Sequence, residues 1–167
     1  FSFYRDASAD LLFSKTQITP QLFEQAKVLH FCSNTLVEQD IAQVTAELIR
    51  QAKSRGLWLS FDVNLRHNLW ADGRANADVV RRFVAQVDIL KFSLDEILYL
   101  LNDTSMDIPA YVQQLLSDKA QLVVITHDDK PLQYFSRYAQ GVLPVPQVQV
   151  VDTTAGGDAF IGGLLFS

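Results

Sequence analysis

The residues whose types and spacing could carry chemistry stand near the end of the chain, where positions 151–163 read VDTTAGGDAFIGG. A turn rich in hydroxyl groups and glycine leads there into a pattern typical of a helix. Such a turn leaves backbone N–H groups free at the helix N-terminus, and these bind anions, phosphate above all. Asp158 in the first helical turn would repel an anion. Its presence is explained if it removes a proton from the group that attacks a phosphate.

The same residues also have an explanation without chemistry. Asp158 complements the helix dipole from a first turn, and Thr154 could serve as the N-cap. A lone Gly-Gly-Asp favours this interpretation, because short motifs often occur by chance. Residues elsewhere in the chain must therefore decide between the two.

Asp62, Asn64 and Arg66 follow an apolar run at 57–61 that is typical of a buried strand. Ligands of open α/β sheets bind beyond the carboxyl ends of the strands. Strand alternation places the three side chains on one side if the chain stays extended. There they could recognise sugar hydroxyls or a phosphate. A local ion pair between Asp62 and Arg66 is the alternative.

Three further segments carry candidate polar groups. Ser93 and Glu96 fit a capping box, which does not exclude Glu96 from the solvated shell of a metal. Thr126 precedes a polar turn that lacks metal-ligand spacing. Arg5 ends an aromatic run, and it either extends to solvent or reaches over an anionic or polyhydroxyl substrate.

The elements that must position these residues alternate between apolar strand runs and amphipathic helix patterns. This order predicts an α/β fold with a mostly parallel sheet and helices on both faces. Gly56 is predicted to end the first long helix. Strands are predicted at 27–32, 57–61, 88–92 and 122–126, helices at 37–52, 75–86, 95–101 and 108–116, and further extended runs at 132–135, 142–145 and 148–151.

Composition bounds the class of protein. The 167 residues suffice for one domain with a core, and 49% hydrophobic with 20% charged residues is typical of a globular chain. The net charge of −5 argues against broad binding to nucleic acid or an anionic membrane. The single cysteine, Cys32, excludes an internal disulfide, fits the cytoplasm and is expected to be buried and unreactive. No apolar run reaches transmembrane length, and both ends fall inside element patterns, so we expect an internal piece of a longer protein.

Together these motifs resemble a known family. Positions 152–160 with Gly162 and Gly163 resemble the signature of the ribokinase-like (PfkB) carbohydrate kinases. The spacing Asp62-x-Asn64-x-Arg66, followed by LW at 69–70, resembles a second landmark of that family. Positions 3–5 resemble the return from its small β lid. The resemblance covers essentially the whole chain and is greatest to the bacterial fructokinase subfamily.

The resemblance implies a ribokinase-like three-layer αβα domain with a mostly parallel sheet. Residues 1–167 would form one partial domain, truncated at both ends, with strands bordering the lid in 1–13. The implied protein is a cytoplasmic enzyme that uses ATP and Mg²⁺ to phosphorylate a sugar hydroxyl, with fructose as the expected sugar. The full-length protein is expected to form a homodimer, and the isolated chain is expected to show little or no turnover.

The resemblance also implies roles for individual residues. Asp158 matches the catalytic base, and the amides of Ala155, Gly156 and Gly157 match the anion hole that neutralises the transferring phosphoryl group. No residue matches a direct metal ligand. The substrate contacts match Tyr4, Arg5, Asp62, Asn64 and Arg66, while Glu96 and Thr126 match residues that influence nucleotide and Mg²⁺ binding.

Departures from the family pattern keep alternatives open. Ala155-Gly156 replaces the usual Gly-Ala order, which would strain the turn if position 155 needs a positive φ. Ser93 stands where Asn is usual, and His127 where a glycine is usual. The alternatives are a 2-keto-3-deoxygluconate or other sugar-acid kinase, whose substrate carboxylate would pair with Arg5 or Arg66; a non-catalytic sugar- or nucleotide-binding protein on the same fold; and a flavodoxin-like or dinucleotide-binding regulatory module.

Overall fold

Six strands form one sheet, and they lie side by side in the order in which they occur in the chain. The computed structural model describes residues 5, 8–102 and 104–166. The first four strands are parallel and the last two pairs are antiparallel, as the alternation of elements predicts. The strands are β1 (Val28–Cys32), β2 (Trp58–Asp62), β3 (Ile89–Ser93), β4 (Leu122–His127), β5 (Lys130–Ser136) and β6 (Gln140–Leu143).

Helices connect the parallel strands, and local signals in the sequence set their ends. Asn76 Oδ1 accepts a hydrogen bond from the Val79 amide at 3.0 Å and so caps the second helix. Gly56 adopts a φ of 73°, which confirms it as the residue that ends the first helix. The helices are α1 (Gln39–Ser54), α2 (Ala77–Val84), α3 (Leu94–Leu101), α4 (Ile108–Asp118) and α5 (Gly156–Phe166).

The core lies between one face of the sheet and helices α1 to α4. Leu59, Phe61, Leu90 and Phe92 in the central strands are fully buried there. Phe31 of β1 stacks on Phe61 with ring centroids 4.5 Å apart. Burial of each such side chain contributes about 1.5–3 kcal/mol, so this face holds the sheet in place.

Helix α5 lies on the opposite face and completes the third layer. Phe160 and Leu164 share a cavity of about 620 Å³ with Leu122 and Val124 of β4. Among the described residues of α5, only Ile161 is buried. The three-layer αβα expectation is therefore confirmed, with one lightly packed layer. Within the described ranges, no helix is both long and apolar enough to cross a bilayer.

Of two further expectations for extended segments, one is wrong and the other stays a prediction. The run 148–151 is not a strand: β6 already ends at Leu143, and Val148 and Val151 are 73% and 94% exposed. Pro144 and Pro146 remove the amide donors that would have continued pairing. In the lid-border segment, the described residues 8–13 form a turn. Residues 1–4, 6 and 7 lie outside the described ones, so the lid-border strands stay a prediction.

Candidate active site

A row of polar side chains crosses the face of the sheet that α5 covers. Because neighbouring strand residues point to opposite faces, the residues flanking the core phenylalanines project toward α5. His30 Nδ1 lies 3.0 Å from Ser60 Oγ, and Cys32 Sγ lies 3.8 Å from His30 Nε2. Asp62 and Lys91 continue the row on β2 and β3, where they are register partners. The carboxyl half of the parallel sheet therefore presents polar groups, as such folds do at their ligand sites.

Asp62 and Lys91 form a buried ion pair. Their side chains are 0% and 9% exposed, and Nζ lies 3.0 Å from Oδ1. The contact is off the direction of a hydrogen bond, and Asp62 Oδ2 has no polar partner among the described residues. Burial raises the pKa of Asp62, Lys91 opposes that rise, and the charges of Glu96 and Asp158 add to it. The pair is thus coupled to the predicted catalytic residue.

The turn before α5 is closed by its own contacts. Asp152 Oδ1 accepts the Thr154 amide at 2.7 Å, and hydrogen bonding by the Thr154 side chain and by this amide lowers the pKa of Asp152. The Gly156 N–H donates to Thr153 O at 3.2 Å. Ala155 is held at a φ of 58°, in the left-handed region that favours glycine. The strain expected from alanine at this position is therefore present.

The N-terminus of α5 keeps backbone donors free. The Ala159 N–H is the first to reach a carbonyl inside the helix, that of Ala155, at 2.8 Å. Among the described residues, the N–H groups of Ala155, Gly157 and Asp158 have no acceptor, and the Thr154 hydroxyl caps none of them. The predicted anion hole also included the Gly156 amide, which the turn engages instead. The remaining donors lie at the positive end of the helix, the kind of position at which free backbone N–H groups bind anions.

The ion pair and the helix N-terminus are adjacent. A Cβ atom added to Gly157 would lie 3.5 Å from Lys91 Nζ and 3.7 Å from Asp62 Oδ2. Asp158 follows directly, and its charge acts on Asp62 and on His30. The structure thus brings Asp62, Gly157 and Asp158 together, as the motifs predict. It adds Lys91, which sequence analysis missed.

Burial favours the uncharged forms of His30 and Cys32, which lie at the β1 end of the polar row. Burial lowers the pKa of His30, and the charge of Asp158 partly opposes this. Burial, together with the charges of Asp62 and Asp158, raises the pKa of Cys32 to about 12. A thiol with this pKa is almost wholly protonated at neutral pH and is a poor nucleophile. This agrees with the expectation that Cys32 is unreactive.

The segment after β2 turns instead of continuing as a strand. Asn64 has a φ of 36°, and its carbonyl accepts the Arg66 amide at 2.8 Å and the Ser33 hydroxyl at 2.9 Å. Asp62 is consequently buried, Asn64 half-buried and Arg66 exposed, so the expected one-sided row does not form. The alternative of an Asp62–Arg66 ion pair is also wrong, because Asp62 pairs with Lys91.

Glu96 ties this turn to the end of β3. Its Oε2 accepts the Ser93 amide at 2.6 Å, and the Glu96 amide donates to Ser93 Oγ at 3.2 Å, so the predicted capping box is confirmed. Its Oε1 accepts the Leu65 amide at 2.9 Å. Both carboxylate oxygens are therefore committed to the backbone. Arg66 lines a cavity of about 430 Å³ next to Glu96.

Arg5 approaches the same edge of the sheet from the start of the chain. Its guanidinium donates to Asn34 O at 3.2 Å and pairs with the Asp10 carboxylate. The side chain is 15% exposed, so it does not simply extend to solvent. Tyr4, predicted beside it as a substrate contact, lies outside the described residues.

Thr126 sits at the end of β4, opposite Ser93 of β3. Its hydroxyl donates to Phe92 O at 3.3 Å. In residues 5, 8–102 and 104–166, no three His, Cys, Asp or Glu side chains gather closely enough to hold a metal ion.

Comparisons with known proteins agree on one family. A model described as pfkB family carbohydrate kinase matches residues 1–167. The fructokinase of Vibrio alginolyticus is 36% identical, over 99% of this chain and 52% of that protein. The structure of fructokinase with bound ATP from Xylella fastidiosa superposes with a TM-score of 0.91 and 40% identity, over 99% of this chain and 51% of that chain.

A second solved structure contains both a sugar and a nucleotide. It is fructokinase from Vibrio cholerae in its fructose-, ADP- and calcium-bound form, with a TM-score of 0.82 and 33% identity over 95% of this chain and 50% of that chain. The chain spans about half the length of the curated relatives it matches.

Proposed function

The chain belongs to the pfkB family of carbohydrate kinases, and from that premise we propose that the protein containing it transfers the γ-phosphoryl group of ATP to a hydroxyl group of fructose. The observation that carries the proposal is the N-terminus of α5. There, unpaired N–H groups of Ala155, Gly157 and Asp158 stand in one turn with the Asp158 carboxylate. Donors for an anion and a base for a proton are the two parts that phosphoryl transfer needs.

In the proposed reaction the Asp158 carboxylate accepts the proton of the attacking sugar hydroxyl. The oxygen so freed forms a bond to the γ-phosphorus, and the bond from that phosphorus to the oxygen of departing ADP breaks. The free N–H groups of the α5 turn donate to the phosphoryl oxygens as charge spreads over them. Bound ATP would supply the phosphoryl group, and Mg²⁺ held by its phosphates would offset part of their charge. The free donors suit the phosphates, and each carboxylate oxygen of Glu96 already accepts one backbone N–H.

Fructose is proposed as the acceptor because of the relatives. The Xylella fastidiosa and Vibrio cholerae neighbours are both fructokinases, one with bound ATP and the other with fructose and ADP. One observation favours a sugar acid as a second candidate. Arg66 is exposed in its cavity with no side-chain partner among the described residues, so it could receive a substrate carboxylate.

The decisive variant is Asp158→Asn in the full-length protein. The amide cannot accept the proton, so kcat should fall by about a hundred- to ten-thousandfold. Fructose affinity should change less than about threefold, because the base contributes to the transition state. Asp118→Asn, which removes the same charge at the far end of α4, is the control and should keep wild-type kcat. Near-normal turnover of Asp158→Asn would overturn the mechanism.

Two further measurements separate the alternatives. A panel of fructose and 2-keto-3-deoxygluconate, run on the wild type and on Arg66→Met, decides the substrate. A preference for the acid that Arg66→Met abolishes would replace fructose. Calorimetric binding of fructose without any ADP formation would favour a non-catalytic binding protein. For location we propose the cytoplasm, since the single cysteine fits a reducing compartment.

A further inference from the structure

Lys91 has no role in the reaction as described above, yet its position is unusual. It lies in the middle of the central strand β3, where its neighbours Leu90 and Phe92 are fully buried. The lysine itself is only 7% exposed. Lysine is almost never buried without a specific partner, because desolvating the ammonium costs several kcal/mol. A buried ion pair is weak evidence for stability, so another reason for its presence is needed.

The geometry of the pair argues against a purely structural purpose. Lys91 Nζ meets Asp62 Oδ1 at 3.0 Å off the hydrogen-bond direction, and Oδ2 has no partner in the described part of the chain. The ammonium also lies next to Gly157, at the positive end of α5. A cation is unfavourable at that end of a helix. The pair is placed where its charges act on the α5 turn.

The charges around Asp158 come from several elements. His30 and Cys32 face it from β1, and both respond to its charge. From β2, Asp62 does the same, and it also responds to Glu96 of α3. Lys91 of β3 is the cation that acts on both Asp62 and Cys32. Lys91 thus compensates carboxylates that would otherwise disfavour ionisation of one another.

We propose that the Lys91–Asp62 pair is a positioning element of the phosphoryl-transfer site, in which Lys91 keeps Asp62 a carboxylate beside the α5 turn and the two together set the charge that Asp158 experiences. Lys91 is a positioning residue, since it acts through Asp62 and the turn. This inference rests on the proposed function, because Asp158 is taken as the base. It predicts that the two members of the pair have opposite effects on the pH at which the enzyme becomes active.

The test is the acid limb of kcat/KM against pH in four variants of the full-length protein. Asp62→Asn leaves an uncompensated ammonium near Asp158 and should move the limb to lower pH by about one unit. Lys91→Met leaves two coupled carboxylates and should move the limb to higher pH by a similar amount, with a steeper slope. The double variant Asp62→Asn/Lys91→Met is neutral and should return the limb to within about 0.3 units of the wild type. Lys91→Arg keeps the charge and should leave the limb in place.

Opposite shifts with restoration in the double variant support the proposal. Loss of kcat with an unmoved limb in all variants would show a structural role only and would overturn it. If Lys91→Met does not fold, the difference between Asp62→Asn and the double variant still decides. If the wild type shows no turnover, the proposed function fails. Titration of the Asp158 carboxylate by ¹³C NMR in the same variants then tests the pair alone, and identical midpoints would refute it.

Discussion

Replacing Ala155 by glycine should strengthen the start of α5. Ala155 is held at a φ of 58° by the turn that precedes the helix, a conformation in which its Cβ crowds the following carbonyl. Glycine has no Cβ and adopts this conformation without strain. The carbonyl of Ala155 accepts the Ala159 N–H at 2.8 Å, so relief of the strain should stabilise the first hydrogen bond inside the helix.

The size of the effect follows from two opposing contributions. Holding an L-residue in the left-handed region costs about 1–2 kcal/mol. Relief of this strain is offset by roughly 0.4–1 kcal/mol, because glycine increases the conformational freedom of the unfolded chain. A net local stabilisation of about 0.5–1 kcal/mol remains. It corresponds to an approximately two- to fivefold increase in protection of the Ala159 amide.

Amide hydrogen exchange measured by NMR is the suitable assay, because it reports on α5 separately from the core. Gly56→Ala provides a matched control of opposite sign. Gly56 has a φ of 73° and no atom within 4 Å of an added Cβ, so that change adds backbone strain alone and should lower the urea midpoint. If Gly56→Ala destabilises the protein but Ala155→Gly leaves Ala159 protection unchanged, Ala155 is not strained and the reasoning fails.

Two further predictions concern groups around the polar row. Glu96→Gln should cost about 1–2 kcal/mol in urea denaturation, because one of the amides of Ser93 and Leu65 loses its acceptor; Asp95→Asn on the same helix should cost far less, and equal losses would contradict the role of Glu96 as a tie. Burial lowers the pKa of His30 below its ordinary value of about 6.5. The imidazole therefore binds protons more readily in the unfolded chain, and stability should fall as pH drops below about 6.5. His30→Gln should flatten the dependence of the urea midpoint on pH between about pH 5 and 7; a wild-type midpoint independent of pH in this window would refute the assignment.

The parts of the fold that depend on local patterns were predictable from sequence. Alternating apolar runs and amphipathic repeats indicate β1 to β4 and α1 to α4, and the capping box at Ser93 and Glu96 fixes the start of α3. Gly56 indicates the end of α1, because glycine commonly follows the last residues of a helix. Each of these signals operates within a few residues, so no knowledge of the sheet is needed to use them.

The parts of the site that depend on pairing between strands were not predictable. Lys91 falls inside an apolar run, which is itself a signal because charged residues are rarely buried. Its partner Asp62 becomes evident only once the register of β2 and β3 is known. Likewise, a positive φ at Asn64 turns the chain where alternation assumes an extended segment. Tertiary contacts overrode the local pattern in both cases.

The order of the strands has a consequence for how the chain is made. Val28 pairs with Trp58, Ser60 with Ile89 and Ile89 with Leu122, so each strand finds its neighbour in the segment that has just left the ribosome. The six strands of the described residues end at Leu143, before any residue of α5 has been synthesised. Such stepwise addition keeps loop-closure costs low and suits folding during translation. The turn that carries Asp158 is therefore added after these six strands, and errors in its docking leave them without the proposed phosphate-binding turn.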